Sequence, residues 1–246
     1  MELGSALFMA AALAAGALVK GATGMGLPLI ALPALTAVFG LQHAVVVMLL
    51  PQLVTNLWQL WLCRVEARSP RLAFLPLFLV AAAIGCVIGS FLLTTLPERA
   101  LVMALGLILL AYVGLKLFNP HISLSLQAAS RFGPLAGLGA GLLQGATGIS
   151  APIGVTFIHA MALGREAMVF AVSAMFMVIS LVQLPTLWAM GGIDPAWLLQ
   201  GLLALVPILL FMPLGQMLAG KFSRTAFDRA ILIFLGLIGL KMVLGF

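Results

Sequence analysis

The chain has 246 residues, of which 64% are hydrophobic and only 7% charged, whereas an ordinary soluble domain carries about 25% charged residues. So little charge cannot clothe a water-soluble surface, which makes this an integral membrane protein. The net charge of +6 would suit nucleic acid, but the Lys and Arg residues sit in short loops beside apolar helix ends, as topology signals do, and nucleic acid is excluded as a partner on that ground.

In chain order, residues 3 to 20 form the first apolar segment. Glu2, with no Lys or Arg beside it, is the wrong charge for a secretory signal. The segment also has a counterpart at residues 132 to 149, so it is read as part of the mature fold. A glycine-rich break follows, Lys20-Gly21-Ala22-Thr23-Gly24-Met25-Gly26-Leu27-Pro28. Residues 27 to 39 then make a helix of about 20 Å, too short for the roughly 30 Å hydrocarbon core. Pro28 falls in its first turn, where the missing amide proton costs nothing and the fixed φ is already helical.

Apolar runs of the spanning length of about 20 residues cover residues 43 to 62, 72 to 95 and 100 to 118. The first carries Gln52, Asn56 and Gln59. Asn56 is read as lining a substrate path, and the glutamines as bonding neighbouring helices. Trp58 and Trp61 stand beside the basic loop of Arg64, Arg68 and Arg71, as in an interfacial belt. Cys63 and Cys86 match no metal-ligand spacing and read as packing residues. His43 and His159, near ends of apolar segments, read as structural.

Residues 119 to 131 are the predicted linker, after which the first half recurs. Gln144-Gly145-Ala146-Thr147-Gly148-Ile149-Ser150-Ala151-Pro152 stands 124 positions beyond the first break, and Ser180-Leu181-Val182-Gln183-Leu184 keeps the same offset from Asn56-Leu57-Trp58-Gln59-Leu60. One ancestral unit has been doubled. The chain is thus read as a first repeat (1–118), a linker (119–131) and a second repeat (132–246) in a single integral membrane domain. Residues 151 to 162 form the second half-helix, again with Pro152 in its first turn. Spanning runs over 166 to 190, 196 to 219 and 230 to 246 complete the chain. Gly215, Gly220 and Lys221 have P-loop spacing, but Phe222 replaces the Ser/Thr and the context is an apolar helix end, so the match is chance.

Charge indicates how the chain crosses. If each break is the tip of a hairpin, Arg64, Arg68, Arg71, Lys116, Arg131, Arg165, Lys221, Arg224 and Arg229 all face one side. The other side keeps little beyond Glu2, Arg99 and Asp194. A single crossing at each break would scatter these charges. The fold class is therefore an all-α polytopic membrane protein of two inverted repeats, each a broken-helix hairpin plus three transmembrane helices. Paired Gly/Pro breaks in two halves are the best sequence pointer to a transporter's binding site.

The chemistry at such breaks suits an anion. The first amides of a helix have no partner within it, and the helix dipole places partial positive charge there. Gly21, Gly24, Gly26, Gly145 and Gly148 let the backbone turn and approach a ligand, with Ala22, Met25, Ala146 and Ile149 in the same loops. Thr23, Thr147 and Ser150 add hydroxyls. Gly137, Gly141 and Gly145 also have the small-xxx-small spacing of close helix packing, which is the competing reading of the glycines. Lys20 precedes the first break in an apolar run, either as a contact to the anion's charge or snorkelling to an interface.

These residues resemble the TauE/SafE sulfite exporters, also called the toluene sulfonate uptake permeases. The likeness rests on Gly21 to Pro28 with Leu29-Ile30-Ala31-Leu32-Pro33, on Asn56-Leu57-Trp58-Gln59, on Gly85 and Gly89 ahead of Leu96-Pro97, and on Gly114-Leu115-Lys116. It covers nearly the whole chain. The resemblance implies a permease for sulfur-containing anions such as sulfite, sulfoacetate and other organosulfonates. The second repeat departs from the pattern with Ser150 where the first has Gly26.

The expectation is a secondary transporter working by alternating access in a bacterial-type inner membrane. Its partners are a small anionic substrate and membrane lipid, with no cofactor and no metal; a homo-oligomer is left open. The alternatives are a passive anion channel of the same architecture and an intramembrane enzyme. For the enzyme, no Ser/His/Asp or multi-His set at helical spacing is present. All six carboxylates, Glu2, Glu66, Glu98, Glu166, Asp194 and Asp228, fall at predicted loops or helix ends, so a mid-membrane carboxylate relay is not expected.

Overall fold

The computed structural model describes residues 3–118, 124–218 and 224–245, and every regular element among them is a helix. Six helical stretches among them are long and apolar enough to cross a membrane, the last being Pro195–Leu218, which two consecutive helices make up. The helices are α1 (Leu3–Thr23), α2 (Leu27–Phe39), α3 (Leu41–Leu62), α4 (Leu75–Thr95), α5 (Glu98–Phe118), α6 (Leu126–Thr147), α7 (Ala151–Ala160), α8 (Arg165–Ala189), α9 (Pro195–Leu203), α10 (Leu205–Leu218) and α11 (Arg224–Leu244). Glu2, Gly220, Lys221 and Phe222 lie outside the described residues, as do the side chains of Arg224 and Asp228.

Both expected half-helices are present, as α2 and α7. α7 opens with a π turn over Ala151–Val155 and stops at Ala160, short of residue 162, where Ala162 turns to φ 48. The arms before them are longer, and α1 but not α6 is among the six apolar stretches. α1 has 21 residues and α6 has 22, about 31 and 33 Å. α6 starts inside the predicted linker because Ser125 caps it, its hydroxyl accepting the Ala128 amide at 3.2 Å. The predicted run over 196 to 219 is divided at Ala204 between α9 and α10. Pro207 explains the division, since it has no amide to donate to the carbonyl of Leu203.

The chain packs as two compact units. The first comprises Met1–Pro51, Pro97–Leu117 and Ile193–Phe246, the second Gln52–Leu96 and Phe118–Gly192. Each unit draws helices from both halves of the sequence.

In the first unit the chain doubles back after α1. A Cβ on Gly16 would lie 2.9 Å from the Leu27 carbonyl and 3.3 Å from Ala31 Cβ, so α2 runs beside the arm it left. α1 crosses α10 at backbone contact, Gly21 against the Met212 carbonyl and Gly215 against the Leu18 carbonyl. At the start of α3, the Glu98 carboxylate accepts the Leu41 amide at 2.7 Å. His43 Nε2 meets Gln200 Oε1 at 2.7 Å and its ring stacks on Trp197 at 4.8 Å, the structural role expected of it.

The second unit repeats these features. α6 crosses α4 with Gly137, Gly141 and Gly145 against the carbonyls of Phe78, Ala82 and Cys86, while Gly85 and Gly89 meet those of Leu138 and Leu142. α7 returns beside α6, since a Cβ on Gly154 would lie 2.9 Å from Ala140 Cβ. The Leu124 amide donates to the Ala160 carbonyl at 2.7 Å, and Phe157 stacks on Phe78 at 5.7 Å. The short turn Arg64–Arg68 packs on α8. Its neighbour Cys63 has its thiol pushed up from the usual range, first by burial and then by Glu166 and Glu66.

Candidate functional site

The two breaks share one backbone turn. At the end of α1 the Gly24 amide closes on the Lys20 carbonyl at 2.7 Å, and at the end of α6 the Gly148 amide closes on the Gln144 carbonyl at the same distance. Gly24 and Gly148 then take φ 82 and 72, the left-handed cap that favours glycine. Beyond this point the breaks differ. Gly26 remains left-handed at φ 105, whereas Ser150 sits at φ −106.

The orphan amides follow from these turns. In α2 the first bond from the break runs from the Ile30 amide to the Gly26 carbonyl at 3.3 Å, so the amides of Leu27 and Leu29 precede any helical partner. In α7 the amides of Ile153 and Gly154 both go to the Ser150 carbonyl, at 3.2 and 2.7 Å. Those of Ser150 and Ala151 come before them. Pro28 and Pro152 stand at the second helical position in each case, with no amide to satisfy.

The glycines named from sequence divide into two groups. Gly24, Gly26 and Gly148 make the turns. Gly21 and Gly145 lie inside helices and bring α1 onto α10 and α6 onto α4. The threonine hydroxyls are engaged locally: Thr23 Oγ1 is 2.9 Å from the Val19 carbonyl and 2.6 Å from that of Met25, and Thr147 Oγ1 donates to the Leu143 carbonyl at 2.7 Å. Neither proton is directed at a ligand in this arrangement. Ala22 and Met25 are half-buried, while Ala146 and Ile149 are buried. Lys20 is 2% exposed and is the only buried charged side chain among the described residues. This burial removes snorkelling as its role.

In the second unit, side chains from α3, α6 and α8 form buried polar links. Gln144 Nε2 donates to Gln52 Oε1 at 3.3 Å, Ser173 Oγ to Gln59 Oε1 at 3.0 Å, and Gln183 Nε2 to the Gly145 carbonyl at 3.1 Å. The glutamines thus bond neighbouring helices, as expected. Asn56 is buried on the same face and donates to the Gln52 carbonyl at 2.7 Å. Ser173 was not singled out by the sequence reading. Its signal was a hydroxyl midway along an apolar run. Gln183 steadies the last turn before the second break, a role that its match to Gln59 did not disclose.

Among the described residues no three His, Cys, Asp or Glu side chains are grouped as a metal ion would require. Cys86 is buried, its thiol 3.6 Å from the Ile179 carbonyl.

A family model described as Sulfite exporter TauE/SafE matches residues 8–242. No curated protein and no solved structure matches the chain.

Proposed function

The chain belongs to the TauE/SafE sulfite exporter family, and we propose that within it this protein is a secondary transporter carrying small sulfur-containing anions, such as sulfite or organosulfonates, by alternating access. The single observation that carries the reading is the duplicated break. Each opens a short helix on orphan amides in an otherwise apolar chain, and an anion away from water needs such oriented donors. Lys20, buried one turn before the first break, supplies a charge that attracts an anion into the apolar interior. By the positive-inside rule the loops of Arg64, Arg68, Arg71 and Arg165 face the cytoplasm of a bacterial-type inner membrane. On this reading the two halves are inverted repeats.

Reconstitution in proteoliposomes tests the proposal against a panel of sulfite, sulfonates, thiosulfate and carboxylates. A carrier gives saturable flux and counterflow of labelled substrate. Flux that rises linearly with concentration and shows no counterflow identifies a passive channel instead. Lys20→Met is expected to cut flux by about tenfold or more, the scale of losing one charge-assisted contact. Unchanged flux in that variant removes Lys20 from the site.

A further inference from the structure

The second break holds two buried polar side-chain atoms without a hydrogen-bond partner among the described residues. Ser150 and Gln144 are 0% and 1% exposed, and neither Ser150 Oγ nor Gln144 Oε1 has a hydrogen-bond partner among the described residues. Buried polar atoms are nearly always paired, so such a pair calls for an explanation.

Ser150 stands at the N-cap of α7, where a serine hydroxyl ordinarily accepts the second or third amide of the helix. Here it caps nothing. The second position is Pro152, with no amide, and the third, Ile153, already donates to the Ser150 carbonyl. The hydroxyl is therefore left over, beside the orphan amides of Ser150 and Ala151. Gln144 is half engaged: its Nε2 donates to Gln52 Oε1 at 3.3 Å, which leaves the amide oxygen as an acceptor without a donor.

A ligand with oxygen acceptors alone satisfies only part of this set. Its oxygens take the Ser150 hydroxyl and the amides, but Gln144 Oε1 can only accept, and it needs an N–H or O–H. We propose that the second break recognises a sulfur oxyanion bearing a hydrogen-bond donor on sulfur, Ser150 donating to an oxygen and Gln144 accepting the donor. Hydrogensulfite and sulfamate have this chemistry; a plain alkyl sulfonate does not. The first break lacks the pair, with Gly26 in place of Ser150 and Lys20 in place of Gln144. Discrimination among anions thus belongs to the second break. This inference rests on the reading of the breaks as anion sites.

The test compares sulfamate with methanesulfonate, two monoanions of similar shape that differ in an amino or a methyl group on sulfur. Binding is measured on the full chain in lipid nanodiscs at one neutral pH, with sulfite alongside. Sulfamate is expected to bind about tenfold or more tightly, since a site built to bond a donor rejects the analogue lacking it. Gln144→Met abolishes the preference while keeping methanesulfonate binding, and Ser150→Ala weakens both anions alike. Equal affinities in the wild type, which needs no variant to be informative, overturn the proposal, as does a preference that survives Gln144→Met. Binding of sulfite with neither analogue bound overturns it too, and leaves the anion site standing. If none of the three anions binds, the anion-site reading falls as well.

Discussion

Gly24 and Gly148 hold the same place in the two breaks and adopt the same left-handed backbone, φ 82 and 72. A Cβ there meets the following carbonyl oxygen, at a cost of about 1–2 kcal/mol. Gly24→Ala and Gly148→Ala are each expected to destabilise the purified protein by about that amount, and Asn at either position by less. Thermal unfolding in detergent measures the difference. Equal stability of the Ala and Asn variants would show that the turn relaxes. The Gly26 to Ser150 exchange was visible in the sequence, but its cause was not: Ser150 is tolerated because its φ is −106 rather than 105. The hydroxyls of Thr23 and Thr147 were legible as residues of the break. Their partners were not, because a hydroxyl at the end of an apolar helix finds a nearby backbone carbonyl, that of Leu143 for Thr147 and those of Val19 and Met25 for Thr23.

At the scale of elements, the small-residue stripe of α6 proved to be a packing surface against α4. Gly141 is its tightest point, where a Cβ would fall on the Ala82 carbonyl, whereas a Cβ on Gly139 would meet only the Ile153 side chain, at 3.1 Å. Gly141→Leu is therefore expected to cost more than the usual overpacking of about 1–3 kcal/mol and to abolish a monodisperse peak in size-exclusion chromatography. Gly139→Ala is expected to keep it. Hydropathy located the long helices well because the bilayer sets their length. It could not locate ends set by single bonds, such as the Ser125 cap of α6 or the division of α9 from α10 ahead of Pro207.

For the molecule as a whole, topology rests on the distribution of charge, and labelling tests it. The turn Arg64–Arg68 lies on α8, which begins at Arg165, so these basic groups share one end of the second unit. In the first unit, Glu98 reaches Leu41, and His43 reaches Gln200 and Trp197, so the starts of α3, α5 and α9 gather at an end poor in arginine. In a background lacking Cys63 and Cys86, Arg64→Cys and Arg165→Cys are expected to react with an impermeant maleimide from one compartment, and Asp194→Cys from the other. Labelling of Arg64→Cys and Arg165→Cys from different compartments would reject the hairpin topology. The echo of residues 20–28 at 144–152 is legible in the sequence, but the mixing of early and late helices in each unit was not, since an echo says nothing about which helix packs on which.

That mixing bears on how the protein is made. α1 lies on α10 and α6 on α4, so residues 1–118 alone lack the α10 backbone against which Gly21 packs, and residues 132–246 alone lack the α4 backbone against which Gly141 and Gly145 pack. During synthesis, α1 can meet α10 only after the ribosome has passed residue 218, so both segments are needed to complete this packing.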